Sequence, residues 1–244
     1  MSLISRKYKF IYVKPYKVAG SSTYQFFSKF CLPPYANDID TTDPNLYKPI
    51  MSDYGIVGAT QDGLEINGRR SAKSWGQHLD IKQVKENIGE EIFNSYFKFT
   101  SIRNPFTTAL SLYFHREKFD GNEYGVDDVK SFNKWLKDVY EVHCETPYEL
   151  THNNYAPFNN WSEYYTIDGK VMCDFHIRCE NLINDVNKVL KKLQIEEKIS
   201  YDDFPQLRIK RQSYDLKKWY NGDKDYYNNL FKCYLEAFEY TPLK

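Results

Sequence analysis

Two short stretches of the chain carry residues suited to gripping an anion. The first is the turn Lys14-Pro-Tyr-Lys-Val-Ala-Gly-Ser-Ser-Thr23. Where a chain turns into a helix, the first backbone N–H groups have no partner inside the helix and point outward, which makes a ready anion site. Gly20 lets backbone approach such a group closely, Ser21, Ser22 and Thr23 add hydroxyl donors, and Lys17 adds a point charge. The stretch is not a Walker A loop, because Lys17 stands three residues before the glycine rather than directly after it. The second stretch runs from Arg103 through Asn104-Pro105 to Ser111. A guanidinium fork matches a phosphate monoester, and a serine eight residues on lies about two helical turns away with its side chain leaning back toward the helix start. Taken singly, each stretch also has an ordinary structural reading: a Gly-Ser helix start, and an arginine paired with a surface carboxylate.

These residues need elements to position them. Residues 8–13 are a dense run of β-formers and read as a buried strand, with a helix opening at Ser21. Residues 32–49 hold four prolines and several Asp and Asn, so they read as irregular, an expected flap over about 32–50. Residues 80–87 read as a helix, with Asp80 as cap and Gly89 as stop. A second strand is expected over 96–102, ending at Arg103, followed by a helix to about 119 with Asn104 as cap and Pro105 in its first position. Further helices are expected over 127–143, 182–193 and 226–239, and 164–172 is a hairpin signal around Asp168-Gly169. Strands alternating with helices imply an α/β layer fold. Both anion-gripping stretches follow strands, and in open α/β sheets ligands bind beyond the strands' carboxyl ends. If the two strands are parallel, a nucleotide phosphorylated on both its 5' and 3' sides would span them.

Composition narrows the classes. The 244 residues carry 33 basic and 33 acidic side chains, so no global field favours nucleic acid and any anion site must be local. A metal–nucleotide site would also want an aspartate after the second strand, where Arg103 stands instead. The five cysteines are widely spaced, which argues against a disulfide framework and for a reducing interior. Cys173 and His176 fall in a run, 170–177, that reads as a strand, with Cys179 just beyond; in a strand 173 and 179 share one face while His176 points to the other, so no metal site is expected. No stretch is long and apolar enough for a signal peptide or a membrane span, which points to a cytoplasmic protein.

In order and spacing, the motifs resemble those of the sulfotransferases that use 3'-phosphoadenosine-5'-phosphosulfate (PAPS), specifically the carbohydrate branch of heparan and chondroitin type, similar to sulfotransferase family 2. Tyr16-Lys-Val-Ala-Gly-Ser-Ser22 resembles the family's Pro-Lys-Thr-Ala-Gly-Thr-Ser loop, with tyrosine in place of proline. Thr100-Ser-Ile-Arg-Asn-Pro105 with Ser111 resembles Phe-Val-Arg-Asn-Pro and its following serine. Asp174-Phe-His-Ile-Arg-Cys-Glu-Asn-Leu182 resembles Asp-Phe-Ile-Gly-Arg-Phe-Glu-Asn-Leu, with Cys179 replacing an aromatic. The basic stretch around Lys210 and Arg211 falls where the family carries a loop over the cofactor. The resemblance covers about residues 8–240. It implies one domain over 1–244, with a P-loop-NTPase-like, mainly parallel central sheet flanked by helices. It implies PAPS as donor, 3',5'-ADP (PAP) as product, no metal, and a carbohydrate or other hydroxyl-bearing acceptor; the absence of an apolar anchor sets the chain apart from secretory-pathway relatives and points to a bacterial or viral origin. It assigns Lys17, Ala19, Gly20, Ser21, Ser22 and Thr23 to the 5'-phosphosulfate, Arg103 and Ser111 to the 3'-phosphate, Lys210 and Arg211 to the covering loop, and His78 to the role of base. A P-loop-like kinase or nucleotide hydrolase, and a non-catalytic nucleotide- or glycan-binding module, are the competing readings.

Overall fold

Side chains alternate across a strand, and here the alternation builds a sheet with two apolar faces. The computed structural model describes residues 2–15, 17–36, 39–41, 43, 46, 48–59, 75, 79–120, 127–137, 164–205 and 214–244. Strands β1 (Ser2–Ser5) and β2 (Phe10–Val13) form an antiparallel hairpin, with Lys9 left-handed at its turn (φ 52°). After β2 comes helix α1 (Gly20–Ser28). Strands β3 (Ile50–Ser52) and β4 (Gly55–Val57) follow, then helices α2 (Ile81–Ile88) and α3 (Glu90–Ser95), and strand β5 (Phe97–Ile102). Helices α4 (Pro105–Asp120) and α5 (Val129–Trp135) precede a two-stranded ribbon, β6 (Thr166–Ile167) with β7 (Lys170–Val171). Strand β8 (Phe175–Arg178) and helix α6 (Leu182–Lys192) come next, and α7 (Leu216–Trp219), α8 (Lys224–Leu230) and α9 (Lys232–Phe238) close the chain.

The central sheet has the order β3-β4-β1-β2-β5-β8. The pairs β2–β5 and β5–β8 are parallel, whereas β1 runs antiparallel to β2 and β4, and β3 to β4. Four strands, β2, β4, β5 and β8, therefore point one way. This is a mixed α/β sheet whose parallel half lies at β2-β5-β8.

The chain divides into two compact units, residues 1–102 with 161–209, and residues 103–160 with 210–244. In the first, Leu3, Phe10, Tyr12, Phe99 and Ile177 face α1 and α6, while Ile4, Ile11, Val13 and Ile56 face α2 and α3. Phe27 of α1 sits 4.8 Å from Phe99 and 5.8 Å from Phe10, ring centroid to centroid, which fixes α1 over the β2–β5 seam. Truncating such a ring typically costs about 3–5 kcal/mol. Trp75 is 6% exposed and packs in this second face. The other unit is an aromatic helical core in which Phe106, Tyr113, Phe132, Trp219 and Tyr220 are buried.

Several expectations hold in detail. Asp80 and Gln83 form a reciprocal capping box on α2, and Gly89 ends it. Asn104 Oδ1 accepts from the Phe106 and Thr107 amides at the start of α4. Asp168 (φ 51°) and Gly169 (φ 74°) turn the ribbon. Others are corrected. The expected strand over 170–177 is broken into β7 and β8, because the Asp174 carboxylate turns in to accept from the Lys98 amide (2.7 Å) and pair with its ammonium (3.3 Å). The helix expected over 226–239 is interrupted at Phe231, whose ring packs edge-on against Phe106 at 5.0 Å. The one expected over 127–143 begins after Asp128, which caps it, and its part beyond 137 lies outside the described residues. β1, β3, α3 and α7 were not anticipated.

His176 on β8 is held mostly out of water, and burial, followed by the nearby Arg178 charge, lowers its pKa to about 4. A histidine depressed below its unfolded value of about 6.5 stabilises the fold above that pH and loses the contribution as pH falls toward 4. Urea unfolding of the wild type should therefore shift to lower midpoints between pH 6.5 and 4. In His176→Gln that shift should be visibly smaller; parallel curves would show that the histidine titrates as if exposed.

Candidate functional site

The parallel pairing of β2 with β5 places Val13 opposite Thr100, and the Thr100 hydroxyl donates to the Val13 carbonyl at 2.8 Å. Both strands, and β8 beside them, thus send the chain out at one end of the sheet. After β2 the chain makes a tight turn. Lys17 (φ 57°) and Ala19 (φ 59°) both adopt left-handed backbone, an arrangement that costs a non-glycine residue about 1–2 kcal/mol each. The buried Val18 between them pins the turn to the core. Ala19 is the N-cap of α1 and offers no side-chain cap, and no acidic residue occupies the helix's first turn. The positive end of the helix is therefore left uncompensated by its own sequence.

Gly20 has a different use from backbone flexibility. A Cβ there would lie 2.8 Å from the Lys14 Cγ and 3.2 Å from the Pro15 carbonyl oxygen. The room is filled by the stem of Lys14, a lysine only 7% exposed, whose ammonium lies 5.9 Å from the Tyr24 ring centroid. Lys14 was given no role from sequence; the signal for it was its place directly after a strand and beside a glycine-bearing turn.

Beneath the turn runs a chain of hydroxyls. Thr23 Oγ1 donates to the Ala19 carbonyl at 3.3 Å. The Tyr12 hydroxyl is hydrogen-bonded to Thr23 and lies 2.9 Å from Ser101 Oγ. Burial holds the Tyr12 phenol well above its ordinary pKa, so it keeps its proton as a donor. Of the three hydroxyl residues named from sequence, Ser22 and Thr23 are fully buried, whereas Ser21, like Lys17, is partly exposed.

The second stretch assembles in its own unit. Arg103 directly follows β5; its backbone N–H donates to the Tyr234 hydroxyl (3.4 Å), and its Nε donates to Thr107 Oγ1 (3.0 Å). That second bond fixes the guanidinium plane one turn into α4. The guanidinium carbon lies 5.9 Å from the ring centroid of Tyr214, and Tyr214 is hydrogen-bonded to Ser111. Arg103 and Ser111, paired on sequence spacing, are thus brought to one side of α4 and share Tyr214, which sequence reasoning missed. At the end of β8, the buried Asp185 accepts from the Arg178 amide (3.0 Å), Asn181 Nδ2 (3.0 Å) and Lys188 Nζ (2.8 Å), fixing the block that follows that strand.

A family model described as the Sulfotransferase family matches residues 1–235. The chain belongs to the sulfotransferase family. An uncharacterized protein of Archaeoglobus fulgidus is 28% identical over 119 residues, which cover 48% of this chain and 82% of that protein. No solved structure matches. Family membership supports a sulfotransferase enzyme. Of the residues that the motifs assign for sulfotransferase chemistry, His78, Lys210 and Arg211 lie outside the described residues. Among the described residues no group of three or more His, Cys, Asp and Glu could hold a metal ion, and no helix is long and apolar enough to cross a membrane. Cys173 is buried with its thiol pKa raised to about 12, chiefly by burial, which suits a core residue rather than a thiolate ligand.

The hydroxyl chain and the left-handed turn make opposite predictions for two substitutions. Tyr12→Phe leaves buried Ser101 and Thr23 short of a partner and should lower the unfolding free energy by about 1–3 kcal/mol. Ala19→Gly removes the left-handed penalty and should leave stability unchanged or raise it by up to about 1 kcal/mol. Urea melts measure both, and a loss from Ala19→Gly equal to that from Tyr12→Phe would contradict the left-handed turn.

Proposed function

We propose that the protein transfers a sulfuryl group from PAPS to a hydroxyl of a carbohydrate or glycoconjugate. The observation that carries this reading is the turn after β2: an uncapped helix start with no acidic residue in its first turn, two left-handed residues bending the backbone, and Lys17 on the turn itself. Backbone bends of this kind turn successive amides toward one side, which suits a phosphosulfate. The parallel neighbour β5 leads directly into Arg103, whose fork, with Ser111, suits the 3'-phosphate. PAPS is the donor that the family implies, and it carries anions of both kinds.

In the proposed reaction the acceptor oxygen attacks sulfur in line. Its proton passes to a base, the S–O bond forms, and the bond from sulfur to the bridging phosphate oxygen breaks. The electron pair stays on that oxygen, giving PAP. Lys17 and the first amides of α1 meet the charge that grows there. Ala19 and Gly20 contribute backbone, and Ser21 a hydroxyl. Ser22 and Thr23, buried as they are, act from within by fixing the turn. His78 is proposed as the base, since an imidazole titrates near neutrality, and Lys210 and Arg211 are proposed to cover the nucleotide.

The decisive experiment is transfer of labelled sulfate from PAPS to a panel of glycans, glycolipids and small alcohols, beside calorimetry with PAP and with ATP–Mg²⁺. Tight binding of PAP and labelled product are expected; preference for ATP–Mg²⁺ would indicate a kinase or hydrolase, and PAP binding without transfer to any acceptor a non-catalytic module. Lys17→Ala should reduce turnover by about 10²–10³ with its thermal melt unchanged. His78→Ala should reduce turnover by about 10²–10⁴ with PAP affinity kept, and undiminished turnover would remove it from the role of base.

A further inference from the structure

The Arg103–Ser111 cluster contains a third group that neither the motifs nor the family assignment names. Tyr214 is half-buried, and its ring lies parallel to Phe114, with centroids 5.9 Å apart and 1° between planes. Phe114 in turn meets Trp219 edge-on at 5.2 Å. The phenol ring is thereby fixed in the aromatic core of its unit, and its two ends do different work. The ring stands 5.9 Å from the guanidinium carbon of Arg103, within the range of a cation–π contact. The hydroxyl is hydrogen-bonded to Ser111. Arg103 is held at its other side by Thr107, so it is gripped from both directions.

We propose that Tyr214 is a positioning residue of the 3'-phosphate subsite, its ring presetting the Arg103 fork and its hydroxyl pairing with Ser111 so that one proton of the pair is left for the phosphate. The inference rests on the PAPS reading above. The chemistry follows from counting protons. Two hydroxyls joined by one hydrogen bond have two protons between them and use one, leaving one to give to a ligand oxygen. Burial raises the Tyr214 phenol above its ordinary pKa despite the opposing Arg103 charge, so the pair stays neutral and keeps both protons. A phosphate then receives a guanidinium fork and one O–H, whereas a nucleotide with a bare 3'-hydroxyl engages neither well. Tyr214 is thus expected to set selectivity for the 3'-phosphorylated nucleotide and to leave the sulfuryl-transfer step alone.

The test compares PAP with 5'-AMP by calorimetry on the full chain. For Tyr214→Phe, which keeps the ring, the PAP Kd should rise about tenfold and the 5'-AMP Kd less than about twofold. The KM for PAPS should rise in step, with kcat at saturating donor unchanged. Ser111→Ala should show the same pattern, and the double variant should lose no more than Ser111→Ala alone, because Tyr214 acts through that serine. Equal weakening of both nucleotides, an unchanged PAP Kd, or additive losses in the double variant would overturn the inference while the PAPS reading stands. A wild-type protein with no preference for PAP over 5'-AMP would overturn both.

Discussion

The parallel seam between β2 and β5 is the constraint on which the rest depends. Parallel strands share a carboxyl end, so the turns that follow them leave the sheet on the same side. In this chain the register is fixed from both directions. Phe10, Tyr12 and Phe99 present aromatic rings to Phe27, while the Thr100 hydroxyl closes on the Val13 carbonyl at the strand end. A slip of one residue would reverse every side chain on β2. It would send Tyr12 to the face of α2 and α3 and break the hydroxyl chain that reaches Ala19. The geometry of the turn is therefore a consequence of aromatic packing several residues away.

That dependence bears on how a chain with equal numbers of acidic and basic residues would hold the anion proposed above. With no net field, positive potential has to be made locally, and the β2–α1 turn leaves the positive end of α1 uncompensated. α1 has no acidic residue in its first turn and no capping side chain, whereas α2, α5, α7 and α8 are each capped by an aspartate whose oxygen accepts from their first amides. An aspartate at Ala19 would occupy the same amides and neutralise the helix end. The absence of a cap where most helices of the fold have one is a local cost in helix stability, and the buried hydroxyls of Tyr12 and Thr23 offset it from below.

Much of this was legible in the sequence because local rules dominate where it was read. Asp80 with Gln83, Asn104 before Pro105, and Asp168-Gly169 are each set by chemistry within four residues, and each appears where expected. What escaped depends on partners distant in the chain. β1 is four residues long with serines at both ends, and only its pairing with β2 and β4 makes it a strand. The break before β8 comes from Asp174 meeting Lys98, 76 residues away. The interruption at Phe231 comes from Phe106. Tyr214 escaped although the basic stretch at Lys210 and Arg211 lies just before it, because its neighbours Arg103, Ser111 and Phe114 are about a hundred residues upstream.

The left-handed residues sharpen the same point. Glycine is the usual occupant of such backbone, yet the glycine of this turn stands at position 20, where no positive φ is found, and the left-handed positions are Lys17 and Ala19. Glycine at 20 is required by a neighbour: the Lys14 stem and the Pro15 carbonyl fill the space a side chain would need. A lysine at 17 is disfavoured by backbone preference and so must be held there by its surroundings, which Val18 and the Thr23–Ala19 bond supply. Left-handed backbone at Lys17 and Ala19, sustained by the buried Val18 between them, fits the preorganised site proposed above. A turn that needed only to reverse the chain would be more stable with glycine in place of Lys17 and Ala19 and a capping aspartate at the start of α1. The sequence departs from that optimum at the positions where an incoming anion would benefit.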